Sequence, residues 1–223
     1  MTGPLPVVCA HRGDLRRHPE NTPPAFESAI RLGAEALEAD LRRTPDGRLV
    51  LAHDPLTEAA ARTAAPLAAL LALADGRVGL DVELKEAGYE LDVLAALEPR
   101  PQRLLVTSFL PEAVAAVHAA DPALATGLLI EPGDGGGALL ARAAACGASH
   151  LAPHWSLVDD ALLAEAAAAA VPLVVWTVNE TAELERLAAA PAVTIVITDD
   201  PPAAVAARRR AGRRGPDPLS RRR

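Results

Sequence analysis

Short apolar runs alternate with alanine-rich, helix-like stretches along most of this 223-residue chain. The runs predict nine strands, and the stretches between them predict eight helices. The predicted strands cover residues 7–11, 36–41, 49–53, 79–84, 104–108, 126–130, 150–152, 173–177 and 194–198. The predicted helices cover residues 23–32, 67–74, 89–97, 111–119, 138–146, 159–170, 181–189 and 202–210. Proline in first-turn positions, and Asp or Thr before several helices, support these helix starts.

The order of these elements predicts the fold class. Strand–helix alternation over most of the chain is typical of parallel strands in an α/β fold. About eight such units predict a closed (β/α)8 TIM barrel, slightly shorter than the usual ~250 residues. A doubly wound open sheet is the alternative.

One junction departs from this alternation. Residues 42–48 separate the second and third strand-like runs, which is too short for a crossover helix. They contain the turn signal Pro45-Asp46-Gly47, so they predict an antiparallel hairpin after strand 2. This hairpin accounts for nine strands in an eight-stranded barrel. If Arg43 pairs with Arg48, then Glu38 faces His53.

Composition narrows the class of protein. The chain is 50% hydrophobic with a mean hydropathy of +0.16, which excludes wholesale disorder. No apolar stretch is long enough to predict a membrane span, and residues 1–8 lack the basic region of a signal peptide. The two cysteines, Cys9 and Cys146, are expected to be buried free thiols. We therefore expect a cytoplasmic protein without a cysteine-based zinc site.

Charge is unevenly distributed. Residues 208–223 hold eight arginines and one aspartate, a charge of +7, whereas the whole chain carries −7, so residues 1–207 carry −14. We expect one barrel domain over residues 1–207 and a basic, disordered tail over residues 208–223. An acidic body argues against nucleic acid as the partner. An anionic substrate would need a metal ion or a few well-placed cations to bind to it.

Chemically active residues gather at the strand ends. The first strand ends in His11, the hairpin return ends in His53, and the second strand holds Glu38-x-Asp40. The fourth predicted strand holds Glu83 next to its end, and a lysine follows two residues later. Residues two apart in a strand share a face, so the carboxylates of the second strand point together.

Inward carboxylates are costly in a parallel barrel, because both faces of its strands are normally apolar. A bound divalent cation would relieve their repulsion, and all-oxygen ligation selects Mg²⁺ or Ca²⁺ over zinc. Taken alone, each pair has an ordinary explanation, as an exposed edge or a surface ion pair. The combination of three such strand ends is much more specific. Lys85 is the one lysine among 22 basic residues, and because arginine and lysine differ in shape and hydration, a site can require one of them; a surface charge left as lysine by chance is the alternative.

The ordered set of motifs resembles the glycerophosphodiester phosphodiesterases, a family of the phospholipase-C-like TIM-barrel superfamily. The resemblance rests on His-Arg-Gly (11–13), Pro-Glu-Asn-Thr (19–22), Glu38-x-Asp40, Thr-Pro-Asp-Gly (44–47), His-Asp-Pro (53–55), Glu83-x-Lys85, Ser-Phe (108–109), Trp-Thr-Val-Asn (176–179) and Thr-Asp-Asp-Pro (198–201). It covers roughly residues 7–205. Between His53 and Glu83 only 29 residues intervene, so the cap over the site is expected to be smaller than in many members.

The resemblance implies a role for each matched residue. His11 and His53 are the implied acid/base pair, and Arg12 and Lys85 the implied phosphate clamps. The implied metal ligands are Glu38, Asp40 and Glu83. Four further residues are expected in support of the site or in the wall of its pocket: Glu20, Asn21, His154 and Trp176.

The implied activity is hydrolysis of a small-molecule glycerophosphodiester to glycerol 3-phosphate and an alcohol, with one divalent cation, Mg²⁺ or Ca²⁺. The residues alone agree, because such hydrolysis needs charge stabilisation, an activated nucleophile and a proton for the leaving alcohol. Attack by water and attack by the neighbouring glycerol hydroxyl both remain open. A lysophospholipase D and a catalytically silent phosphate-ester binding barrel are the alternatives.

Overall fold

The computed structural model of the chain describes residues 5–133 and 138–213, without the side chain of Arg213. Its strands are β1 (Val7–His11), β2 (Ala36–Arg43), β3 (Leu49–Leu51), β4 (Gly79–Leu84), β5 (Leu104–Ser108), β6 (Ala125–Ile130), β7 (His150–Pro153), β8 (Leu173–Val175) and β9 (Val193–Thr198). Its helices are α1 (Pro23–Arg31), α2 (Glu58–Thr63), α3 (Leu67–Ala74), α4 (Glu90–Ala96), α5 (Pro111–Ala120), α6 (Leu139–Ala145), α7 (Asp160–Ala169), α8 (Thr181–Ala188) and α9 (Pro201–Arg213). A short 3₁₀ turn spans Trp155–Leu157.

Eight of these strands form a closed parallel barrel. The hydrogen-bonded order is β1-β9-β8-β7-β6-β5-β4-β2, and β1 also pairs with β2, which closes the ring. The remaining strand, β3, pairs antiparallel with β2. The predicted TIM barrel with a hairpin after strand 2 is therefore confirmed. The nine predicted strands are all present, with ends that differ from the prediction by at most two residues.

The predicted register of the hairpin is wrong by one residue. Arg43 lies opposite Leu49 rather than Arg48, and the backbone N–H of Thr44 donates to the carbonyl of Arg48 at 2.9 Å. The turn therefore has three central residues, 45–47. Gly47 closes it with a φ of 86°, a left-handed conformation that glycine adopts without strain.

The corrected register moves His53 relative to the acidic strand. Ala52 donates its N–H to the carbonyl of Asp40 at 3.0 Å, so His53 comes after the paired residues and not opposite Glu38. His53 still reaches the C-terminal end of the barrel, where β1, β2 and β4 also end. The hairpin therefore places His53 at the same end of the barrel as the carboxylates, although His53 does not lie opposite Glu38 in the sheet.

The side chains of β2 alternate between the apolar layer outside the barrel and the interior of the barrel. Leu37, Ala39 and Leu41 are fully buried in the apolar layer between the barrel and the helices. The intervening residues Glu38 and Asp40 point into the barrel. The interior itself is apolar and contains small side chains: its cluster is Cys9, Ala36, Leu105, Leu129, Ala152, Val174 and Ile197. Small residues leave room for the inward carboxylates.

Two smaller features were not predicted. Helix α2 has only six residues and buries none of them, so the apolar pattern gives no signal for it. Thr57 accepts a hydrogen bond from the backbone N–H of Ala60 and so caps its N-terminus. The 3₁₀ turn after β7 is too short for its pattern to be recognised.

The ends of the chain refine the predicted domain division. Helix α9 continues to Arg213, so residues 208–213 are helical and do not belong to a disordered tail. Residues 214–223 lie outside the described residues, and the domain boundary at residue 207 stays a prediction. Cys9 and Cys146 are free and buried, as expected. Among the described residues, no helix combines the length and apolar character needed to cross a bilayer.

Leu37→Ala should destabilise the barrel strongly. Its side chain is fully buried between β2 and the helices, so truncation leaves a cavity that costs about 2–5 kcal/mol. The matched control is Leu91→Ala on α4, where the side chain is 71% exposed and the change should stay within about 0.5 kcal/mol. Chemical denaturation measures both free energies of unfolding. Equal effects of the two substitutions would contradict the assignment of Leu37 to the core.

Candidate active site

The predicted site residues converge at the C-terminal end of the barrel. A cavity of about 180 Å³ opens there between the strand ends. Seven predicted residues line it: His11, Arg12, Glu38, His53, Glu83, Lys85 and Trp176. Six residues that were not assigned to the site also line it: Asp81, Thr107, Phe109, Leu129, Glu131 and Ile197. Active sites of TIM barrels lie at this end.

Three carboxylates form the floor of the site. Asp40 pairs with Glu83 across β2 and β4, and Glu38 lies two residues before Asp40 on the same face. All three side chains are buried, and one ligand oxygen from each lies within 4.8 Å of the others. Burial raises the pKa of Glu38 well above its ordinary value, and the charges of Asp40 and Glu83 raise it further. The pKa of Glu83 rises to about 7 for the same two physical reasons, burial and the charge of Asp40.

Asp40 is the ionised member of this cluster. Burial acts to raise its pKa, but the neighbouring Arg12 and Lys85 cations lower the value below the ordinary one. The Nε of Arg12 lies 2.9 Å from Asp40 Oδ2, and Lys85 Nζ lies 3.3 Å from Oδ1. Lys85 Nζ also lies 2.6 Å from Glu83 Oε1. The two cations therefore hold negative charge in a buried place that would otherwise take up protons.

The oxygens of this cluster fit a hard divalent cation. Glu38 Oε1 is buried without a hydrogen-bond partner, and the Lys85 ammonium lies 3.3 Å from Asp40 Oδ1 and 2.6 Å from Glu83 Oε1. The second oxygen of Glu38 and of Asp40 is fixed by a hydrogen-bond donor. The backbone N–H of Arg12 donates to Glu38 Oε2 at 2.9 Å, and Asn21 Nδ2 donates to Asp40 Oδ2 at 2.8 Å. The three carboxylates therefore converge, with one oxygen of each within 4.8 Å of the others. That donor set matches Mg²⁺ or Ca²⁺ and not a softer metal.

Asp81 is a fourth buried acid that sequence reasoning did not assign. It pairs with Glu38 in the sheet and lies two residues before Glu83. Burial raises its pKa to about 7, and a hydrogen bond from Thr107 Oγ1 to Asp81 Oδ1 at 2.8 Å partly opposes this. The spacing Asp81-x-Glu83-x-Lys85 is the signal that would have placed it on the same face.

Each candidate histidine has a carboxylate partner. The Nδ1 of His11 lies 2.7 Å from Asp199 Oδ1, and Asn179 Nδ2 donates to Asp199 Oδ2 at 2.7 Å. His53 Nδ1 lies 2.9 Å from Asp54 Oδ1, a side chain that is 89% exposed. With Nδ1 facing a carboxylate, Nε2 is the ring nitrogen left for a substrate. Asp199 belongs to the Thr-Asp-Asp-Pro motif (198–201), but the sequence analysis did not predict it to be a site residue. It lies two residues after Ile197, whose side chain points into the barrel.

The first loop is folded against the carboxylate floor. Gly13 has a φ of 97°, and a Cβ there would lie 2.6 Å from the Cβ of Ala25, so only glycine fits. This turn directs Arg12 back over the site, where Nη1 donates to Glu20 at 2.9 Å. Asn21 also accepts from the Asp40 N–H at 3.2 Å through its Oδ1. Glu20 and Asn21 therefore lie behind Arg12 and Asp40, in the supporting position expected of them.

Aromatic side chains form the opposite wall. Trp176 lines the cavity, and its ring makes edge contacts with Phe109 and His154 at centroid distances of 5.3 and 5.2 Å. His154 lies against Trp176 and is absent from the cavity lining among the described residues. Burial lowers the pKa of His154 below its ordinary value, although the charge of Glu131 acts in the opposite direction. Trp176 therefore forms part of the cavity wall, and His154 packs against Trp176.

Curated relatives match one segment of the chain. A glycerophosphodiester phosphodiesterase from Caldanaerobacter subterraneus subsp. tengcongensis is 52% identical over 48 residues. The aligned segment covers 22% of this chain and 20% of that relative, so the match spans about a fifth of the relative's length. This local match does not carry the relative's activity to the whole chain.

Solved structures match over nearly the whole chain. A phosphodiesterase from Oleispira antarctica, solved in complex with the product sn-glycerol-3-phosphate, has a TM-score of 0.78 and 24% identity, covering 91% of this chain and 96% of that one. A glycerophosphodiester phosphodiesterase from Agrobacterium tumefaciens has a TM-score of 0.78 and 20% identity, covering 91% and 100%. At these identities the likeness shows the fold.

The family is shown by a sequence model that spans most of the chain. The model of the glycerophosphoryl diester phosphodiesterase family matches residues 11–75 and 77–203. These segments run from His11 through the last strand of the barrel and include the carboxylate floor, both candidate histidines and the aromatic wall. On that match, the chain belongs to the glycerophosphoryl diester phosphodiesterase family.

Proposed function

We propose that this protein hydrolyses glycerophosphodiesters to glycerol 3-phosphate and an alcohol, with one divalent cation, Mg²⁺ or Ca²⁺. One observation carries the proposal: two cations, two carboxylate-paired histidines and the carboxylates of Glu38 and Glu83 line a single cavity, and the buried Asp40 carboxylate lies beside them. Family membership supports the same reaction class. The substrate is a small molecule, and a cytoplasmic location stays a prediction.

Glu38, Asp40 and Glu83 would hold the cation through the three oxygens that lie within 4.8 Å of one another. Such an ion, when bound, stabilises negative charge on the phosphoryl oxygens and orients the diester. Arg12 and Lys85 line the same cavity and would bind the phosphate from the protein side. Both are held by Asp40, which keeps their charged groups in place before the substrate arrives.

The two histidines divide the proton transfers. One Nε2 takes the proton from the attacking oxygen, of water or of the neighbouring glycerol hydroxyl, and the other gives a proton to the leaving alcohol oxygen. Where the glycerol hydroxyl attacks, the product is a cyclic phosphate, and water then opens it with the same two histidines to give glycerol 3-phosphate. Asp199 orients His11, and Asn179 in turn fixes Asp199. His53 has a more exposed partner in Asp54. The two rings therefore differ in the exposure of their carboxylate partners, and a difference of this kind suits a pair in which one member is the acid and the other the base.

The alternative functions share this site. A catalytically silent binding barrel would lack a histidine or a carboxylate, and none is missing. A lysophospholipase D would act on the same phosphodiester with an acyl chain attached. Parallel assays with glycerophosphocholine and lysophosphatidylcholine distinguish these: turnover of the acylated substrate alone would favour the lysophospholipase, and turnover of neither would favour the binding barrel.

Removal of the cation should abolish hydrolysis. After EDTA treatment and dialysis we expect activity to fall to background, because the phosphoryl charge then lacks the ion that would stabilise it. Addition of Mg²⁺ or Ca²⁺ should restore it, as measured by release of glycerol 3-phosphate. Full turnover after exhaustive chelation would contradict the metal requirement.

Loss of either histidine should slow the reaction. We expect His11→Ala and His53→Ala each to lower kcat by about 10²–10⁴-fold, the usual contribution of a positioned acid or base. His118→Ala on α5, in the outer helix layer, is the matched control and should keep kcat within about twofold. A near-normal kcat in a folded variant of His11 or His53 would remove that residue from the mechanism.

The Lys85→Arg substitution should lower the hydrolytic activity although it keeps the positive charge. The compact Lys85 ammonium lies 2.6 Å from Glu83 and 3.3 Å from Asp40, a space in which a planar guanidinium is too wide. We expect kcat/KM to fall at least about tenfold, which corresponds to roughly 1.4 kcal/mol of transition-state stabilisation. Arg31→Lys, at an exposed position on α1, is the control. Activity of the Lys85 variant within about threefold of the parent would show that lysine is not specifically required.

A further inference from the structure

We propose that Arg42 is a positioning residue, which holds the backbone of His53 so that the ring of this histidine faces the active-site cavity. The inference rests on the proposed function and adds the contact that orients one of its two acid/base groups. Arg42 is not among the described residues that line the cavity. It therefore acts through His53 and not on the substrate.

The side chain of Arg42 binds one carbonyl oxygen with two donors. Its Nε and Nη2 both donate to the backbone carbonyl of His53, at 3.0 and 2.7 Å. Its Nη1, which points away from that edge of the guanidinium, donates to Glu86 Oε1 at 2.6 Å. Only 9% of Arg42 is exposed, so these charge-assisted bonds are largely shielded from water. The carbonyl of His53 is thus held in one place.

The strand pattern explains why a side chain at position 42 reaches His53. Residues two apart in a strand share a face, so Arg42 follows Asp40 on the same face of β2. The N–H of Ala52 donates to the carbonyl of Asp40 at 3.0 Å, and His53 comes one residue after that backbone bond. The guanidinium therefore continues the attachment of the returning chain to β2 beyond the paired residues.

The chain after His53 offers little else to fix this residue. Residues 54–57 form neither helix nor strand, and helix α2, which follows them, buries none of its six residues. The carboxylate partner of the ring, Asp54, is 89% exposed, so water competes for its contact with Nδ1. The position of His53 therefore depends on the residues before it and on the contact with Arg42.

The other candidate histidine is held in a different way. His11 is part of β1, where it pairs with Glu38 of β2. Its Nδ1 faces Asp199, and Asn179 fixes that carboxylate in turn. Strand pairing thus fixes the backbone of His11, whereas His53 lies outside the strands. A change at Arg42 should therefore displace His53 and leave His11 in place.

Arginine suits this position better than lysine. A planar guanidinium donates two bonds from one edge and a third from another, whereas an ammonium has no fixed plane. The acceptor of the third bond, Glu86, balances the charge of Arg42 and comes directly after Lys85. Arg42 therefore joins the hairpin that carries His53 to the segment that follows the proposed phosphate-binding lysine.

A double-mutant cycle tests this role. We expect Arg42→Met, which removes the donors, to lower kcat by about 10–100-fold, because displacement of a reacting group by about 1 Å can cost this much. KM should stay within about threefold, since Arg12 and Lys85 still bind the phosphate. In the His53→Ala background the same change should lower kcat by less than about twofold, because its effect passes through His53. An equal loss in both backgrounds would overturn the inference.

Two further variants control the result. Arg43→Met makes the same change at the next residue of β2, whose side chain lies on the opposite face and pairs with Asp92 at 3.0 Å. It should keep kcat within about twofold. Arg42→Lys keeps the charge beside Glu86 but cannot make the paired bonds, and should lower kcat at least about fivefold, even if Arg42→Met does not fold. A normal kcat in folded Arg42→Lys would overturn the inference.

The mobility of His53 separates this inference from the proposed function. Absence of hydrolysis by the unmodified, metal-loaded protein would contradict the proposed function alone, and NMR relaxation would then test the contact. In Arg42→Met we expect the backbone order parameter of His53 to fall from about 0.85, typical of rigid backbone, to below about 0.6, and that of His11 to stay unchanged. A His53 backbone that stays rigid in this variant would overturn the inference in that case.

Discussion

The mutual repulsion of Glu38, Asp40 and Glu83 is the constraint on which the site depends. Three carboxylates within a few ångströms in the interior of a parallel barrel oppose folding unless their charge is compensated. Arg12 and Lys85 compensate Asp40, and the first loop bends sharply at Gly13 to bring Arg12 into place. A divalent cation bound by the three converging carboxylates would compensate the charge that remains. The tight turn at Gly13, the single lysine and the candidate metal site therefore all serve to compensate the same buried negative charge.

The barrel makes this arrangement possible by separating two tasks. Outward residues such as Leu37 and Leu41 pack against the helices and stabilise the fold. Inward residues near the C-terminal ends of the strands are then free to carry charge, because small side chains such as Cys9 and Ala152 fill the interior below them. The cost of buried charge is confined to one end of the barrel, where solvent and a ligand can reach it.

Local pattern was enough to predict the strands and the carboxylate floor, because two-residue spacing puts Glu38 with Asp40 on one face without knowledge of the tertiary fold. Features that depend on the exact turn or on distant segments were missed. The hairpin register was off by one because it depends on the left-handed residue Gly47. The pairing of His11 with Asp199 joins residues 188 apart, so it exists only once β1 and β9 close the barrel. Asp81 was missed although its spacing from Glu83 was visible in the sequence.

The central claim is that the buried carboxylates are held in place for a divalent cation. Calorimetric titration of the metal-free protein with Mg²⁺ or Ca²⁺, repeated in buffers of different ionisation enthalpy, tests it most directly. Because burial and the neighbouring charges raise the pKa of Glu38, and raise that of Glu83 to about 7, an incoming cation competes with protons for these carboxylates. We expect one ion per chain, release of protons to the buffer, and loss of binding in Glu83→Gln. Absence of binding by either ion in the folded protein, or binding that Glu83→Gln leaves unchanged, would contradict the account.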